Sequence, residues 1–497
     1  MLNRIEKVFV KESQNIAFCI QNTKYTYNIF GQYVLAIRKK IKAKPPTTGL
    51  IGLIGYNNIE TYASILAIWM EGYAFVPIST ESPKVRNDTV MKLAESDCIL
   101  TCRKEGTTLF KQVNYNFIYT NDIILENEKL SFPAFNQNQL ACILFTSGST
   151  GIPKGVPYTF NNINTSLDSF FALGYQLSNQ DRFLQMFDLT FDMSMLSYLT
   201  AWCLGASVYT IKENSIRYLA VIEVLQNEKI TVAIMVPSTI TFLSPYLNEV
   251  NLPAIRYSML GGEPLLINMA KKWLNAIPNA ELINLSGPCE TTMASVAYNV
   301  NRDFALNKSH NNILAFGRPW KNTQVIIVDE NLNEVATNEI GELCFSGENV
   351  MSGYWQLPAL NKQIFFDKEI NYELQRFYRS GDLAYIDEDG DLYSCGRKDF
   401  QYKIKGYKVE LGEIEALYKQ KTGKNAVAIV NTLENNQMEI YLFIEENEID
   451  SKPIMQFLKD KLPNYMIPKS IISIAQLPTT ISGKVDRKKL LETLNAI

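Results

Sequence analysis

The sequence predicts an α/β fold: a large N-terminal domain of stacked α/β sheets with a small β-barrel-like layer, followed by a small α+β C-terminal domain. Three observations support this prediction. Short apolar runs alternate with helical patterns in the first half of the 497 residues, which is typical of parallel sheets. From about Gly317 the pattern changes to short strands separated by turn signals. Hydrophobic residues make up 46% of the chain and charged residues 20%, which is ordinary globular usage and excludes wholesale disorder.

The first half begins the alternation with residues 49–56, which read GLIGLIGY and predict a buried strand; a helix is predicted over 57–69. Further strands are predicted, in chain order, over 73–78, 98–101, 142–145, 206–211 and 232–236. The uncharged stretch 193–211 is about as long as a membrane span. Gly205 interrupts it, so we expect a buried helix followed by a strand and no membrane span.

The second half is predicted to contain an antiparallel layer and a compact tail. Strands are predicted over 325–328, 341–345 and 384–386, and the pair Asp389-Gly390 predicts a turn. In the tail we predict helices over 413–418 and 455–461 and strands over 427–430 and 440–444. No Pro- or Gly-rich linker precedes the tail. We therefore predict domains over 1–398 and 399–497, with a short hinge near Asp399.

Charge and cysteine content exclude several functional classes. Lys and Arg sum to 48 and Asp and Glu to 51, a net charge of −3, so the chain has no broad basic field for nucleic acid. The eight cysteines form no CxxC pair, and His310 is the single histidine, which excludes the usual zinc sites. We expect reduced thiols, a cytoplasmic location and small soluble substrates.

The strongest local signal is the stretch 145–155, FTSGSTGIPKG, which follows an apolar strand. Glycines allow successive backbone N–H groups to converge on phosphate oxygens. The stretch is not a Walker A loop, because Lys154 lies between Pro153 and Gly155. The groups predicted to bind phosphate are the hydroxyls, glycines and cation of Thr146, Ser147, Gly148, Ser149, Thr150, Gly151 and Lys154.

This stretch resembles the signature of adenylate-forming enzymes, which include acyl-CoA synthetases, luciferases, amino-acid adenylation domains and D-alanine–carrier protein ligases. The resemblance continues through nearly the whole chain in the family's order. The further motifs are FDMS at 191–194, GGE at 261–263, NLSGPCETT at 284–292, GELCFSGENVMSGY at 341–354, YRSGDL at 378–383, GRKDFQYKIKGYKVELGEIE at 396–415 and SGKVDR at 482–487.

The resemblance implies a reaction of a carboxylate with ATP that gives an acyl-AMP and pyrophosphate. In-line displacement at phosphorus needs positioning and charge stabilisation more than proton transfer. Glu290 is implied as the Mg²⁺ ligand, Asp382 and Arg397 as ribose contacts, and Lys484 as the lysine of the adenylation step. The other implied ATP contacts are Gly262, Glu263, Asn284, Ser286, Gly287 and Cys289.

A second half-reaction is implied in the same way. The resemblance implies that the small α+β C-terminal domain is mobile: in this family the tail rotates about a residue placed like Asp399, which withdraws the lysine and opens a channel for a phosphopantetheine thiol. Gly406 is implied to line that channel, where a side chain would obstruct it. The chain ends ten residues after Arg487, so we expect the carrier protein to act in trans.

Asp192 indicates which acid is activated. In amino-acid-activating members the Asp of FDxS pairs with the substrate's α-ammonium, and a buried carboxylate predicts a cationic partner; a helix N-cap is the alternative. The resemblance places eight uncharged residues around the substrate: Met193, Leu196, Ser238, Met259, Gly261, Leu285, Met293 and Ala294. This set predicts a small apolar amino acid, with alanine of either hand and proline favoured.

Three positions depart from the family's pattern. Gly261 stands where D-alanine ligases typically have Cys, Ser286 where an aromatic residue lies against adenine, and Cys289 where Thr contacts phosphate. Two alternatives to an amino-acid-activating ligase stay open. One is an acyl-CoA ligase for another carboxylic acid, which Asp192 disfavours. The other is a noncatalytic family member, which the departures suggest and the retained Lys154, Glu290, Asp382, Arg397 and Lys484 disfavour.

Overall fold

The computed structural model describes most of the chain. The described ranges are 1–111, 114–126, 128–148, 152–213, 215–398, 401–433, 436–446, 450–479 and 485–496. Within them, every helix is too short or too polar to span a bilayer.

The helices and strands are numbered in chain order over the described residues. The helices α1–α13 are Leu2–Lys11, Tyr27–Ala43, Ile59–Met70, Lys84–Leu93, Phe160–Phe171, Met193–Leu204, Arg217–Asn227, Pro237–Leu243, Ile267–Ala276, Pro358–Ile364, Leu411–Thr422, Ser451–Lys459 and Arg487–Ala496. The strands β1–β14 are Ile16–Ile20, Thr23–Thr26, Leu50–Ile54, Ala74–Ile78, Cys98–Thr101, Asn116–Tyr119, Leu140–Thr146, Lys154–Thr159, Arg182–Gln185, Ser207–Thr210, Val232–Met235, Tyr257–Gly261, Glu281–Ser286 and Val296–Val300. The strands β15–β27 are Ser309–His310, Ile313–Leu314, Arg318–Pro319, Gln324–Val328, Gly341–Ser346, Phe365–Ile370, Glu373–Ile386, Leu392–Arg397, Gln401–Ile404, Tyr407–Glu410, Ala426–Thr432, Met438–Glu445 and Ser470–Ile474.

Two large, mainly parallel sheets form the first part of the fold. The nine-stranded sheet has the order β17-β14-β13-β12-β11-β9-β10-β1-β2, and its six central strands, β13 to β1 in that order, are parallel. The six-stranded sheet has the order β6-β5-β3-β4-β7-β8, and only the pair β7–β8 is antiparallel. The predicted α/β alternation is therefore confirmed.

Two helices that are buried on all sides, α3 and α6, hold these sheets together. Nearly every residue of each helix is buried, as expected for a helix that is apolar around its whole circumference. Tyr62 of α3 and Tyr198 of α6 bring their ring centroids to 5.9 Å. The uncharged stretch 193–211 forms α6 and β10, and Gly205 ends α6 in the left-handed region at φ 74°. The predicted buried helix–strand pair is confirmed.

The antiparallel layer is an open five-stranded sheet of β18, β19, β21, β20 and β22, and the described residues form no closed barrel. The predicted strand 384–386 is only the end of β21, which runs over Glu373–Ile386. The rest of β21 was not predicted because only four of its fourteen positions are buried, without regular alternation, and it contains several charged residues. In the register of β21 and β22, Asp382 lies opposite Arg397.

The residues after 400 have hydrophobic cores of their own. One core joins α11, α12 and one face of the sheet β25-β26-β27, and a second joins its other face to Leu490 of α13. A separate hairpin of β23 and β24 precedes them and projects towards the larger sheets. Its residues lie within the motif quoted above, and the segment KIKGYK at 403–408 is also the pattern of an ordinary hairpin turn.

Candidate active site

A cleft of about 90 Å³ lies where the strands β12 and β13 of the large sheet end. The carboxyl ends of parallel strands are the usual place for ligands in α/β folds. The N-terminus of α6 and the end of β7 form two other walls, and the hairpin β23–β24 covers the cleft. Residues that line it are Phe145, Thr146, Ser147, Thr190, Phe191, Asp192, Met193, Gly262, Leu285, Ser286, Gly287, Pro288, Cys289, Glu290, Met293, Ala294, Asp382, Arg397, Gln401, Lys403, Gly406, Tyr407, Lys408 and Tyr465.

The glycine-rich stretch contributes its first residues to this cleft. Thr146 and Ser147 line it, and the Ser147 hydroxyl donates to the carbonyl oxygen of Lys408 over 2.5 Å. At Gly148 a Cβ atom would lie 2.0 Å from the carbonyl oxygen of Ile152, so this position excludes any side chain. The predicted phosphate contacts Ser149, Thr150 and Gly151 lie outside the described residues.

Lys154, the cation of the glycine-rich stretch, is held by the covering hairpin. Its Nζ atom lies 2.7 Å from Oε1 of Glu410, which is the last residue of β24. The same ammonium lies over the ring of Tyr354, 5.3 Å from the centroid. In this arrangement, therefore, the lysine predicted to bind phosphate is paired with a carboxylate of the protein itself.

Glu290 is fully buried and ionised. Its Oε1 atom accepts hydrogen bonds from Lys408 Nζ, at 2.8 Å, and from the Tyr354 hydroxyl. Burial by itself raises the pKa of a carboxyl group, but Lys408 and Tyr354 outweigh burial and lower the pKa of Glu290 to about 2. The second oxygen, Oε2, is buried and has no hydrogen-bond partner among the described residues.

The free oxygen of Glu290 is the feature that fits a magnesium ion. Mg²⁺ prefers oxygen ligands and is commonly bound by one or two carboxylates together with substrate phosphates. In the described part of the chain, histidine, cysteine, aspartate and glutamate side chains form no group of three that could hold a metal ion by themselves. Glu290 would therefore supply one oxygen ligand, and nucleotide phosphates and water would supply others.

Asp192 precedes α6 and is 6% exposed. Its side chain makes no hydrogen bond that caps the helix, which removes the N-cap alternative. Oδ2 lies 3.2 Å from the Tyr158 hydroxyl, and Asp192 forms no ion pair with any described residue. Burial raises the pKa of this carboxyl group to about 6, against the lowering effect of the Tyr158 hydrogen bond and of the Lys403 charge.

The predicted substrate-side residues separate into two groups. Met193, Leu285, Met293 and Ala294 line the cleft next to Asp192. A Cβ atom at Gly261 would lie 3.1 Å from the Met193 methyl group, so Met193 covers that glycine. The residues that do not reach the cleft are Leu196, Met259, Gly261 and Ser238; Ser238 lines a neighbouring cavity.

The predicted ribose contacts form an ion pair. Arg397 Nη1 lies 2.5 Å from Asp382 Oδ1, and both residues line the cleft. The guanidinium also donates to Gln401 Oε1 over 2.8 Å and to the Ser380 carbonyl oxygen. Arg397 therefore joins the antiparallel layer to the first strand of the hairpin.

Two predicted ATP contacts do not reach the cleft. Glu263 accepts hydrogen bonds from the backbone N–H groups of Ser238, at 2.7 Å, and Gly406, at 2.6 Å. Asn284 donates to the carbonyl oxygen of Ala315 and is 1% exposed. Both side chains are engaged in holding the surrounding backbone. The other four predicted ATP contacts of this group do line the cleft: Gly262, Ser286, Gly287 and Cys289.

A second cavity, of about 360 Å³, joins the cleft at Phe191, Gly406, Tyr407 and Tyr465. Gly406 has φ +83°, and a Cβ atom there would lie 2.7 Å from Val236 Cγ1. Tyr407 and Tyr465 stack with ring centroids 4.0 Å apart. Asp399, the predicted hinge, and Lys484, the predicted lysine of the adenylation step, lie outside the described residues.

Sequence reasoning missed several residues of this site. Lys403, Lys408 and Glu410 lie within the quoted motif 396–415, and Tyr354 ends the motif 341–354. Their alternation along β23 and β24 could have indicated one polar face of a hairpin. Tyr158 carries no such signal, because it lies in an ordinary apolar strand.

Comparisons with known proteins agree with this geometry. The family model "AMP-binding enzyme" matches residues 6–355. Gramicidin S synthase 1 of Brevibacillus brevis is 31% identical over 98% of this chain, which spans 44% of that protein. Zwittermicin A synthase ZmaJ of Bacillus cereus is 31% identical over 89% of this chain and 85% of its own length.

Two solved structures are similar in fold. The Vibrio cholerae adenylation domain AlmE, in complex with glycyl-adenosine-5'-phosphate, superposes with a TM-score of 0.87 at 22% identity, over 100% of this chain and 98% of that one. A holo four-domain nonribosomal peptide synthetase bound to AMP and glycine superposes with a TM-score of 0.71 at 28% identity, over 98% of this chain and 36% of that one.

Proposed function

This chain belongs to the AMP-binding enzyme family, and from that membership we propose that it activates a small apolar amino acid with ATP and passes it to a carrier protein. The first product is an aminoacyl-AMP. The acceptor is the phosphopantetheine thiol of a separate carrier protein. The described structure supports this proposal at three places: the Asp192 carboxylate, the nucleotide side of the cleft and the adjoining cavity.

Asp192 is the single observation that carries the proposal. It is a buried carboxylate on the cleft wall that makes no capping hydrogen bond and no ion pair with a described residue, and the Lys403 charge acts on it from beyond ion-pair distance. An isolated buried anion is costly unless a cation is supplied. An α-ammonium group in the cleft would supply it, whereas a fatty or aryl acid would leave the cost unrelieved.

The nucleotide side has groups suited to the phosphates and the ribose of ATP. Thr146, Ser147, Gly148 and Lys154 are proposed to hold the phosphates, together with the undescribed Ser149, Thr150 and Gly151. Asp382 and Arg397 are proposed to hold the ribose. Glu290, through its free Oε2, would hold Mg²⁺, which neutralises phosphate charge when bound.

The proposed chemistry has two displacements. A carboxylate oxygen of the amino acid attacks the α-phosphorus, a P–O bond forms, the bond to the bridging oxygen breaks, and pyrophosphate leaves. The thiol sulfur then attacks the acyl carbonyl carbon, loses its proton and expels AMP. Lys484 is proposed to stabilise the first displacement, and Asp399 is proposed as the hinge about which the tail moves between the two steps.

The adjoining cavity is proposed as the path of the thiol. Arg217 and Tyr218 line this cavity, and so does Gly406, where the cavity meets the cleft. The missing side chain at Gly406 keeps the junction open, since a Cβ atom there would meet Val236. The hairpin is docked on the cleft, and we assign this arrangement to the second step because it brings Gly406 to the junction of the cavity and the cleft.

The amino acid is proposed to be small. Met193, Leu285 and Met293 narrow the cleft beside Asp192, and the Met193 methyl group covers Gly261. Alanine and proline fit the apolar lining. Glycine belongs in any test as well, because two similar solved structures contain glycine or its adenylate.

Amino-acid-dependent ATP–pyrophosphate exchange tests the proposal directly. We expect exchange with alanine, proline or glycine, little with leucine or phenylalanine, and none with acetate or propionate. Asp192→Asn should abolish exchange, while Asp329→Asn, at an exposed turn outside the cleft, should not change it. Exchange with simple carboxylic acids alone would indicate an acyl-CoA ligase, and no exchange with any acid would indicate a noncatalytic member.

A further inference from the structure

We infer that Tyr158 is a positioning residue of the amino-acid site, whose hydroxyl orients the Asp192 carboxylate towards the substrate and ties it to the segment that carries Glu290. The inference rests on the proposed function for the identity of the ligand. Tyr158 belongs neither to the glycine-rich stretch nor to the substrate-side residues predicted above.

The position of Tyr158 is unusual for a polar group. It lies in β8, next to β7 in the six-stranded sheet, and is 0% exposed. Its hydroxyl lies 2.6 Å from the carbonyl oxygen of Cys289, 3.1 Å from Cys289 Sγ and 3.2 Å from Asp192 Oδ2. One buried hydroxyl thus contacts both the predicted ammonium anchor and the residue before Glu290.

The hydroxyl has a single hydrogen for these contacts. A backbone carbonyl can only accept, so the short contact with Cys289 uses that hydrogen in part, and the carboxylate shares it as a three-centre bond. Burial raises the pKa of Tyr158 well above its ordinary value. The group therefore keeps its hydrogen, and it stays a donor throughout the range in which the enzyme would act.

The contact gives Asp192 a fixed direction. A carboxylate at a helix start can rotate, and here its side chain makes no capping hydrogen bond to α6, although the N–H group of the adjacent Met193 helps to lower its pKa. The other titratable groups around it are Cys142 on β7, Cys289 and the Lys403 ammonium of the hairpin. Among all groups that lower the pKa of Asp192, the Tyr158 hydroxyl has the largest effect, and it lies on a strand of the six-stranded sheet rather than on the hairpin that carries Lys403.

The second contact of the Tyr158 hydroxyl, with Cys289, connects the amino-acid anchor to the proposed metal ligand. Cys289 begins the short helical turn Cys289–Thr291, whose middle residue is Glu290. The bond to the Cys289 carbonyl oxygen fixes this turn relative to Asp192. The amino-acid anchor and the proposed metal ligand are thereby held at one spacing, which is what an in-line displacement requires.

Tyr158→Phe tests the inference, because it removes one oxygen and leaves the ring packing. The matched control is Tyr198→Phe, a buried tyrosine of α6 whose hydroxyl has no hydrogen-bond partner among the described residues. For Tyr158→Phe we expect the KM for the amino acid in pyrophosphate exchange to rise roughly tenfold, the scale of one hydrogen bond to a charged group. The KM for ATP and kcat should change less than about threefold.

A pH profile separates positioning from packing. Without the Tyr158 donor the pKa of Asp192 rises, so the acid limb of kcat/KM for the amino acid should move to higher pH in Tyr158→Phe and stay in place in Tyr198→Phe. An unchanged limb with an unchanged KM would overturn the inference. A parallel loss of kcat, ATP affinity and melting temperature would also overturn it, since that result indicates a structural role.

A second measurement does not depend on the proposed function. Infrared titration of the Asp192 carboxyl group, assigned by difference from Asp192→Asn, should give a higher pKa in Tyr158→Phe than in the wild type. If no amino acid supports exchange but this shift is observed, the proposed function fails and the Tyr158–Asp192 contact stands. If exchange occurs and the shift is absent, the inference about Tyr158 fails alone.

Discussion

The Lys408 ammonium lies 2.8 Å from the Glu290 carboxylate and occupies one of its two oxygens. Glu290 is 0% exposed, so this pair is shielded from solvent screening. The same carboxylate is the proposed ligand for Mg²⁺. Lys408 of the hairpin and the metal ion would therefore compete for one buried carboxylate. We expect the hairpin to dock after the metal ion and pyrophosphate have left.

Lys408→Met should separate the two half-reactions. Removing the ammonium leaves Glu290 buried without a cation only when the hairpin is docked, which disfavours that arrangement. We expect amino-acid-dependent pyrophosphate exchange to stay within about threefold of wild type and thioester formation on a carrier protein to fall by about tenfold or more. Lys469→Met, which removes an exposed ion pair with Glu439, is the control. Equal loss in both assays would contradict the prediction.

Glu410→Gln should improve the use of ATP. Lys154 lies 2.7 Å from Glu410 in the docked arrangement, so the carboxylate competes with phosphate for this cation. Without the negative charge we expect the KM for ATP in pyrophosphate exchange to fall by about two- to fivefold, the scale of a shift in a two-state equilibrium of under 1 kcal/mol. A higher KM for ATP would show instead that Glu410 supports the nucleotide site.

The pH dependence of amino-acid use should report Asp192. Burial raises the pKa of this carboxyl group to about 6, and only the ionised form can pair with an ammonium group. We therefore expect kcat/KM for the amino acid to be constant above about pH 7 and to fall as the pH drops through 6, approaching a tenfold loss per unit. Steady-state exchange between pH 5 and 8 measures this limb. A flat profile across that range would show that Asp192 does not titrate in the free enzyme.

The pH dependence of stability at Asp192 has the opposite sign to the pH dependence of activity: ionisation favours activity but lowers stability. The pKa of Asp192 is higher in the folded protein than the ordinary value of 3.8, so the folded state binds the proton more tightly than the unfolded state. Ionisation therefore costs stability above about pH 6, and this cost disappears below about pH 4. The carboxylate is a group that the fold tolerates at neutral pH rather than one that stabilises it.

Gly406→Ala should impair the second half-reaction. Gly406 has φ +83°, and a Cβ atom would lie 2.7 Å from Val236 Cγ1, so alanine is both strained and too large when the hairpin is docked. Thioester formation should fall by about tenfold or more, with pyrophosphate exchange reduced much less. Gly423→Ala provides the control, because Gly423 has φ +75° with no atom within 4 Å of the added Cβ. It therefore carries the backbone strain without the steric conflict.

Much of the fold was predictable because it depends on local pattern. The strands β3, β5, β11 and β19 were predicted to within two or three residues, since each is a continuous apolar run bounded by polar or turn residues. The long strand β21 was recognised only in its last residues, because much of it is exposed or half-buried. Apolar patterning detects a strand only where a face is buried.

Motifs predicted which residues lie near the candidate site, but they did not predict which of those side chains point into the cleft, because packing decides that direction. Asp192, Glu290 and Lys154 do line or adjoin the cleft. Glu263 and Asn284 lie in motifs of the same quality, yet their side chains bond to backbone groups away from the cleft. The direction of each side chain depends on the sheet register at its strand end, which a motif does not specify.

By itself the sequence determined the α/β alternation, the order of the motifs and the residue types available for chemistry, because periodicity and turn residues act over a few neighbouring positions. Tertiary structure alone decided that Lys408 would meet Glu290, 118 residues away, and that Tyr158 would meet Asp192, 34 residues away. These pairs come from different sheets and from the hairpin. Burial gives each pair its strength, since a charge or hydroxyl removed from water must find its partner within the protein.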